Sequence, residues 1–260
     1  METIHFQGNE GIVNWQGVSF EMNQEYSHFM QNDVASRLND QPGNDEFNAH
    51  LRGLASTGFA QNSLNAILSA NVPEERDWAV GEAFAESWLT KKYGAVWPWN
   101  TVRDKRTPKA SLPGADLIGF VEINNQTRLL IGEVKTSSDK DTPPNVMNGQ
   151  HGMIHQLEKL VTDLSLISQL LQWLQPRCKN TVYQNQFNAA VILLLNSNNK
   201  SIAIFGILIR DTQPHEKDLS VRAKALAKSV EEPTECQLQA LYLPHPIASL
   251  PDLIISGESS

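Results

Sequence analysis

The sequence predicts an α/β protein whose core combines a β-hairpin, buried strands and long helices. Residues 116–136 contain two alternating runs on either side of a short polar segment, as in a hairpin. Residues 77–94 and 149–176 carry apolar side chains at helical spacing. Residues 187–196 and 201–211 are almost continuously apolar, which is typical of strands buried on both faces.

The helix predicted over residues 77–94 precedes the hairpin. Glu82 and Glu86 are four residues apart and lie opposite its apolar face, where a solvated surface explains them as well as a functional role does. Residues 96–102 are predicted to form a first strand beside the hairpin, although Pro98 interrupts the run. The apolar face of the helix is marked by Val80, Phe84 and Trp88.

The hairpin brings three charged residues to its open end. With its turn centred between Asn125 and Gln126, Asp116 lies opposite Lys135. Side chains alternate along a strand, so Glu133 and Lys135 share a face. The sequence therefore predicts one cluster of two carboxylates and an ammonium group.

Two converging carboxylates repel each other unless a cation lies between them, and oxygen ligands of this kind suit Mg²⁺ or Mn²⁺. A nearby lysine can orient a water molecule or stabilise negative charge that develops on a phosphate. Metal, water and lysine together predict a hydrolytic site for a phosphodiester. The alternative is an ordinary ion pair between Glu133 and Lys135 on a solvated strand face.

The pattern P-(x)2-D-(x)16-E-V-K over residues 113–135 resembles the signature of the PD-(D/E)xK nuclease superfamily. Here Gly114 and Ala115 separate Pro113 from Asp116, whereas the superfamily pattern places proline next to aspartate. The resemblance implies a restriction-endonuclease-like core of helix, β-meander, helix and strand. Residues 77–211 follow that order.

The resemblance also implies roles for the clustered residues. Asp116 and Glu133, with the carbonyl of Val134, hold Mg²⁺ or Mn²⁺, and Lys135 orients the attacking water. The implied reaction is hydrolysis of DNA by an endonuclease or exonuclease.

Three further residues receive supporting roles from the same resemblance. In many members of the superfamily a glutamate of the first helix reaches the metal, so Glu82 or Glu86 is expected there. Gln150, near the start of the predicted helix 149–176, is expected to point at the site.

Positive charge concentrates beside the predicted site. Residues 91–140 hold nine Lys and Arg against five Asp and Glu, whereas the whole chain has a net charge of −8. An acidic chain with one basic region predicts weak non-specific affinity for DNA and a partner, such as a helicase or ATPase, that delivers it. The residues expected to hold the strand are Arg103, Lys105, Arg106 and Lys109.

The arrangement of an N-terminal extension, G-E-x-x-A-E at residues 81–86 and then the D…E-V-K core is similar to the nuclease subunits of prokaryotic anti-phage systems. The Hachiman-type nuclease subunit, which works with a helicase, is the family it resembles. Two alternatives remain: a non-catalytic module that binds nucleic acid or protein on the same fold, and a nuclease that cleaves RNA.

Composition limits the remaining possibilities. We expect an N-terminal subdomain over residues 1–72, the nuclease core over 73–212 and a C-terminal extension packing on the core over 213–260. The chain has no apolar run long enough to span a membrane and no signal-peptide pattern at its start, so a cytoplasmic protein is expected. Cys178 and Cys236 lack the spacing of a zinc site.

Overall fold

The protein is described by a computed structural model that covers residues 2–69, 77–104 and 114–255. These residues form a six-stranded sheet in the order β1–β2–β6–β5–β4–β3. The outer pairs β1–β2 and β4–β3 are antiparallel, and the central pairs β2–β6, β6–β5 and β5–β4 are parallel. The predicted α/β class is confirmed. The strands are β1 Glu2–Glu10, β2 Val13–Phe20, β3 Leu117–Ile123, β4 Gln126–Ser137, β5 Ile202–Arg210 and β6 Glu235–Tyr242.

Helices cover both faces of the sheet. Within the described ranges, none of them combines the length and apolar character needed to cross a bilayer. A π-helical turn, Phe29–Val34, joins the first two. The helices are α1 Gln24–His28, α2 Ala35–Leu38, α3 Gln41–Leu54, α4 Gly58–Ser69, α5 Asp77–Tyr93, α6 Thr101–Asp104, α7 Met153–Thr162, α8 Leu164–Cys178, α9 Gln184–Asn196, α10 Ser220–Leu226 and α11 Leu250–Ile255.

Strand alternation divides the buried side chains into two cores, one on each face. Leu129 and Ile131 of β4 pack in the core beneath α7, α8, α9 and α10. Leu130 and Val134 pack in the opposite core beneath α5, α11 and the Phe29–Val34 turn. The period of two in β4 therefore decides which helices each side chain meets.

The hairpin of β3 and β4 forms where the sequence predicts it, but its turn lies one residue earlier. Asn124 and Asn125 both have left-handed backbone angles, with φ of 53° and 59°. Asparagine tolerates that region, and a two-residue turn of this kind matches the twist of a hairpin. Ile123 therefore pairs with Gln126 and Leu117 with Gly132. The predicted register was wrong by two positions, an even number, so every side chain keeps its predicted face.

Two apolar runs that looked alike fold differently. Residues 201–211 contain β5, which is buried along its whole length as predicted. Residues 187–196 belong to α9, so the predicted strand was wrong. Ile192 and Leu195 of α9 remain exposed, at 59% and 63%. The outer face of α9 is apolar, and this hides the amphipathic pattern by which a surface helix is recognised.

The long helix predicted over residues 149–176 is two helices, α7 and α8, separated at Asp163. The Asp163 carboxylate accepts hydrogen bonds from the backbone N–H groups of Ser165 and Leu166, at 3.0 and 3.1 Å. An aspartate that caps new N–H groups starts a second helix where the first one ends.

The predicted strand over residues 96–102 is reduced to one bridging residue, Val96. Its N–H and C=O exchange hydrogen bonds with Phe120 of β3, at 2.8 and 2.9 Å. Beyond it, the Asn100 side chain accepts from Val102 N–H and the Asp104 side chain accepts from Asn100 N–H. These local bonds stabilise the turn of α6 in place of a strand.

The N- and C-terminal parts of the chain meet in the same sheet. β6 lies between β2 and β5, and pairs with both of them in parallel. The strands β1 and β2 fall within residues 1–72, and β6 within residues 213–260. Both flanking segments therefore contribute strands beside the predicted core.

Gly132 is expected to tolerate no side chain. It lies in β4 directly before Glu133, and a Cβ there would overlap the backbone carbonyl oxygen of Phe205. Gly132→Ala should lower the free energy of unfolding by about 3 kcal/mol, measured by chemical denaturation. Gly53→Ala in α3 is the control, because its Cβ would meet nothing within 4 Å. An equal, small effect of both substitutions would contradict the close packing of β4 against β5.

Candidate active site

The three charged residues of the predicted cluster lie together at the open end of the hairpin. Glu133 and Lys135 follow Ile131 at intervals of two in β4, so they share the sheet face that α7 covers. Asp116 directly precedes β3, whose first pair joins Leu117 to Gly132. The convergence that the sequence predicts is therefore present in the fold.

Short contacts connect the cluster. The Lys135 Nζ atom lies 2.5 Å from Glu133 Oε1. The Asp116 Oδ2 atom accepts a hydrogen bond from the backbone N–H of Val134 at 3.0 Å. The backbone N–H of Asp116 donates to the carbonyl of Gly132, also at 3.0 Å. These bonds hold the aspartate against β4 at the point where the ladder between β3 and β4 ends.

The pKa of Glu133 is raised, to about 8. Burial, which disfavours the charged form of Glu133, is the largest cause of the raised pKa. The neighbouring Asp116 carboxylate raises the pKa further, and Lys135 lowers it. If both carboxyl groups are ionised, the pair carries one more negative charge than Lys135 neutralises, and this disfavours the ionised form of Glu133. This is the electrostatic condition that a bound divalent cation relieves.

The backbone of Val134 faces the edge of β4 at which Asp116 lies. In a strand, the N–H and C=O of one residue point to the same edge, as an antiparallel hydrogen-bonded pair shows. Since the Val134 N–H points to Asp116, its carbonyl oxygen also points to that edge. This geometry allows the carbonyl ligand that the sequence predicts.

The cluster is open to solvent on one side. Glu133 is only 2% exposed, whereas the Lys135 side chain is 22% exposed and Asp116 is half-buried. Glu133 therefore forms the floor of the site, and the other two side chains form its accessible rim.

Helix α7 packs directly beside Glu133. Gly206 of β5 pairs with Glu133, and a Cβ on this glycine would lie 2.9 Å from both the Met153 sulfur and a methyl carbon of Leu157. The first turns of α7 therefore lie level with the carboxylate. The absence of a side chain at Gly206 permits this close approach.

Gln156 is a candidate site residue that the sequence analysis missed. Glu158, on one flank of α7, accepts a hydrogen bond from Ser229 beside α10, which lies over β1 and β2. Helical geometry places Gln156 on the opposite flank, toward β4 and β3. Its Oε1 atom is buried and has no hydrogen-bond partner among the described residues.

Gln150, the predicted glutamine, lies in the exposed turn before α7. Within the described part of the chain, no hydrogen bond joins Gln150 to the cluster. The sequence signal that could have identified Gln156 is a polar residue one turn into α7, next to its apolar face.

The structure does not bring Glu86 to the cluster. Helix α5 packs in the core on the other face of the sheet from the Glu133 side chain. Glu86 is 3% exposed, and its Oε2 atom lies 2.6 Å from the Nε atom of Arg37. The side of α5 that carries Glu86 is therefore buried by an ion pair, whereas the sequence left open a solvated helix surface. Glu82 lies one turn earlier and is half-buried.

Arg103 is the only predicted strand-holding residue within the described ranges. Its side chain is 46% exposed and lies 3.5 Å from both Asp40 and Asp104. Lys105, Arg106 and Lys109 lie outside the described residues, as does Pro113 of the predicted motif.

Over the described ranges, no three His, Cys, Asp or Glu residues form a group that is able to hold a metal. The donor set at the cluster is two carboxylates and one carbonyl. Mg²⁺ commonly binds through one or two carboxylates and keeps several waters, so this set fits that ion.

Residues 30–247 match the family model described as HamA. The matched range begins in the Phe29–Val34 turn and ends just after β6, so it includes α5, the hairpin and the whole charged cluster. No curated protein matches the chain.

Proposed function

We propose that this chain, which belongs to the HamA family and is therefore a Hachiman-type anti-phage protein, is a metal-dependent nuclease that hydrolyses DNA. The observation that carries the proposal is the cluster of Asp116, Glu133 and Lys135. Lys135 contacts Glu133 at 2.5 Å, and Asp116 accepts a hydrogen bond from the backbone N–H of Val134, between them in β4, at 3.0 Å. An ion pair on a solvated strand face does not explain it, because Glu133 is buried beside a second carboxylate.

The order of elements supports a restriction-endonuclease-like core. Helix α5 is followed by the bridge at Val96, the hairpin of β3 and β4, helices α7 to α9 and the parallel strand β5. This order resembles the helix, β-meander, helix and strand order of the PD-(D/E)xK superfamily, with a single bridging residue in place of the first strand of the meander.

In the proposed site, Asp116 and Glu133 hold Mg²⁺ or Mn²⁺ together with the Val134 carbonyl. The bound ion supplies Lewis acidity toward a phosphate oxygen and toward a water molecule. One carboxylate oxygen of Asp116 accepts a hydrogen bond from the Val134 N–H, and the other is the proposed metal ligand. Glu133 is held by Lys135 and by the packing of α7.

Lys135 contributes the positive charge at the accessible side of the site. Its ammonium group holds three donors, of which one engages Glu133. The others are available to orient the attacking water and to stabilise the negative charge that develops on the phosphate. Gln156 has a buried Oε1 atom with no hydrogen-bond partner among the described residues, which supports a role for it in positioning the water or Glu133 from the side of α7.

The proposed partner is a helicase or ATPase. The chain carries a net charge of −8, which opposes its association with DNA, while positive charge is concentrated in residues 91–140. A protein that moves along DNA or opens the duplex would bring a strand to this basic region at a high local concentration.

Cleavage of labelled DNA and RNA tests the function directly. The wild type is expected to cut DNA with Mg²⁺ or Mn²⁺, alone or with the proposed helicase or ATPase partner, and to be inactive in EDTA. Asp116→Asn should remove cleavage while the fold is retained. A wild type that binds no metal and cuts neither substrate with the partner present would favour the non-catalytic module, and preferential cutting of RNA would favour the alternative nuclease.

Metal affinity is expected to rise with pH. The raised pKa of Glu133, about 8, means that a proton occupies this carboxyl in part of the metal-free molecules near neutrality. Mn²⁺ binds only the ionised carboxylate. The apparent affinity for Mn²⁺ should therefore increase up to tenfold per pH unit from about pH 6 to about pH 8 and then level off. Calorimetric titration with Mn²⁺ measures it, and Glu133→Gln should abolish the pH dependence. A flat profile in the wild type would exclude Glu133 as a ligand.

A further inference from the structure

The hairpin formed by α3 and α4 exposes large apolar side chains. Its two helices are joined by residues 55–57 and contact each other. The Thr57 hydroxyl accepts a hydrogen bond from the Ala60 N–H at 3.2 Å, which caps the start of α4. A connection this short makes two helices antiparallel neighbours. The exposed side chains are Phe47 at 54%, Leu54 at 67%, Phe59 at 85% and Ile67 at 66%.

The apolar face of α3 is not covered by a core. Phe47, Leu51 and Leu54 follow one another at intervals of four and three residues, so they lie on one face of the helix. None of the 14 described residues of α3 is buried, and Leu64 is the one buried residue among those of α4, all of which are described. A helix of this length is marginal in water unless its apolar face is packed. A partner that covers the hairpin would supply that packing.

Helix α9 also exposes apolar side chains, but it is already held by the sheet. Its Ala190 and Leu194 are buried in the core beneath it. Its Phe187 packs edge to face on Phe120 of β3, with ring centroids 6.4 Å apart. The exposed apolar residues of α9 therefore lie on a helix that is stable without a partner, whereas those of the α3–α4 hairpin do not.

The hairpin carries few charges. Helix α4 contains no Asp, Glu, Lys or Arg, and α3 contains Asp45, Glu46 and Arg52. Two chains of net charge −8 repel each other, and the repulsion is weakest where neither presents charge. Asp45 and Arg52 are seven residues apart, so they share one flank of α3. Antiparallel packing of two α3 helices would bring each of them toward the opposite charge of the other copy.

The exposed apolar area is sufficient for a dimer. A fully exposed side chain of this size presents on the order of 200 Å², so the four together present about 500 Å² in one copy. A specific interface buries at least about 1,000 Å² counted over both partners. Two hairpins that cover each other reach that value before their polar neighbours contribute.

We propose that the α3–α4 hairpin packs against the same hairpin of a second copy of this chain. Four amphipathic helices then form one bundle around Phe47, Leu54, Phe59 and Ile67. Both copies use the same surface, so the assembly closes as a dimer. The dimer does not depend on the proposed nuclease reaction, because no residue of the charged cluster lies in the hairpin.

Sedimentation equilibrium of the full chain, from about 1 µM to about 100 µM, tests the proposal. A reversible monomer–dimer equilibrium is expected. Amide hydrogens of α3 and α4 should exchange more slowly at the concentrations at which the dimer forms, because the contact stabilises these helices. A monomer over the whole range, or a dimer whose formation leaves exchange in α3 and α4 unchanged, overturns the proposal.

Two matched leucine variants locate the contact. Leu54→Gln should raise the dissociation constant of the dimer at least about tenfold, because it removes an apolar side chain from the bundle. Leu195→Gln in α9 is the control, since Leu195 is 63% exposed and lies outside the hairpin. It should dimerise as the wild type does. Both leucines are exposed in the single chain, so circular dichroism should show the same fold in both variants.

Other occupants of the hairpin would give different results. Equal weakening by Leu54→Gln and Leu195→Gln would indicate non-specific hydrophobic association and overturn the assignment. A chain that stays monomeric but binds an added helicase or ATPase, with binding that Leu54→Gln removes, would assign the hairpin to that protein and overturn the dimer.

Discussion

At about pH 9, Lys135→Ala is expected to reduce metal-dependent cleavage about 10³-fold while leaving Mn²⁺ binding nearly unchanged. Its ammonium group lies 2.5 Å from Glu133 at the accessible side of the cluster, where an attacking water and a phosphate must meet. The metal ligands remain in place, so the loss should appear in the rate of the chemical step under saturating metal.

The removal of Lys135 has a second effect that the experiment must separate. Lys135 lowers the pKa of Glu133, so its loss raises that pKa further above about 8 and lets protons compete better with the metal. Cleavage and Mn²⁺ titration are therefore best compared at about pH 9, where more of the Glu133 carboxyl is ionised.

Lys140→Ala is the matched control for Lys135→Ala. Lys140 is an exposed lysine in the loop that follows β4, and it lies outside the charged cluster. It should retain near wild-type cleavage. Wild-type rates for Lys135→Ala would remove the proposed role of this residue, and a loss of Mn²⁺ binding equal to the loss of cleavage would assign it to the support of Glu133.

Arg37→Met is expected to lower the free energy of unfolding by about 3–5 kcal/mol, measured by denaturation in guanidinium chloride. Arg37 and Glu86 form a largely buried ion pair at 2.6 Å, with side chains that are 16% and 5% exposed. Without Arg37, the Glu86 carboxyl remains buried with no cation beside it, and this uncompensated charge is the main cost.

A double variant separates this cost from the loss of packing. Arg37→Met with Glu86→Leu should recover most of the stability, because apolar side chains of similar volume replace both buried charges. Lys91→Gln, which breaks an exposed pair with Glu25, is the control and should cost less than about 1 kcal/mol. A cost below about 1 kcal/mol for Arg37→Met would show that the pair is hydrated in solution.

The double variant also tests the predicted metal role of Glu86. A protein without this carboxylate that still binds Mn²⁺ as the wild type does would assign Glu86 to the anchoring of α2 on α5. The side of the sheet on which α5 packs favours that outcome, because the Glu133 side chain lies on the other face.

The charged cluster was predictable from the sequence because it depends on local chain geometry. The two alternating runs lie close in the chain, and the short polar segment between them leaves few possible registers. The turn at Asn124 and Asn125 differs from the predicted turn, but the register changes by an even number of positions. The shared face of Asp116, Glu133 and Lys135 therefore survives the error.

Contacts between distant segments decided the features that the sequence did not reveal. The apolar run of α9 is compatible with a strand or a helix, and its packing over β4 and β3 selects the helix. The positions of Glu86 and Gln156 relative to the cluster depend on which face of the sheet each helix covers. That arrangement results from the packing of all the buried side chains in the two cores. The sequence by itself determined which side chains share a strand face, because alternation is a property of the backbone. Only the tertiary structure decided which helices meet that face, because packing sums many weak contacts between residues far apart in the chain.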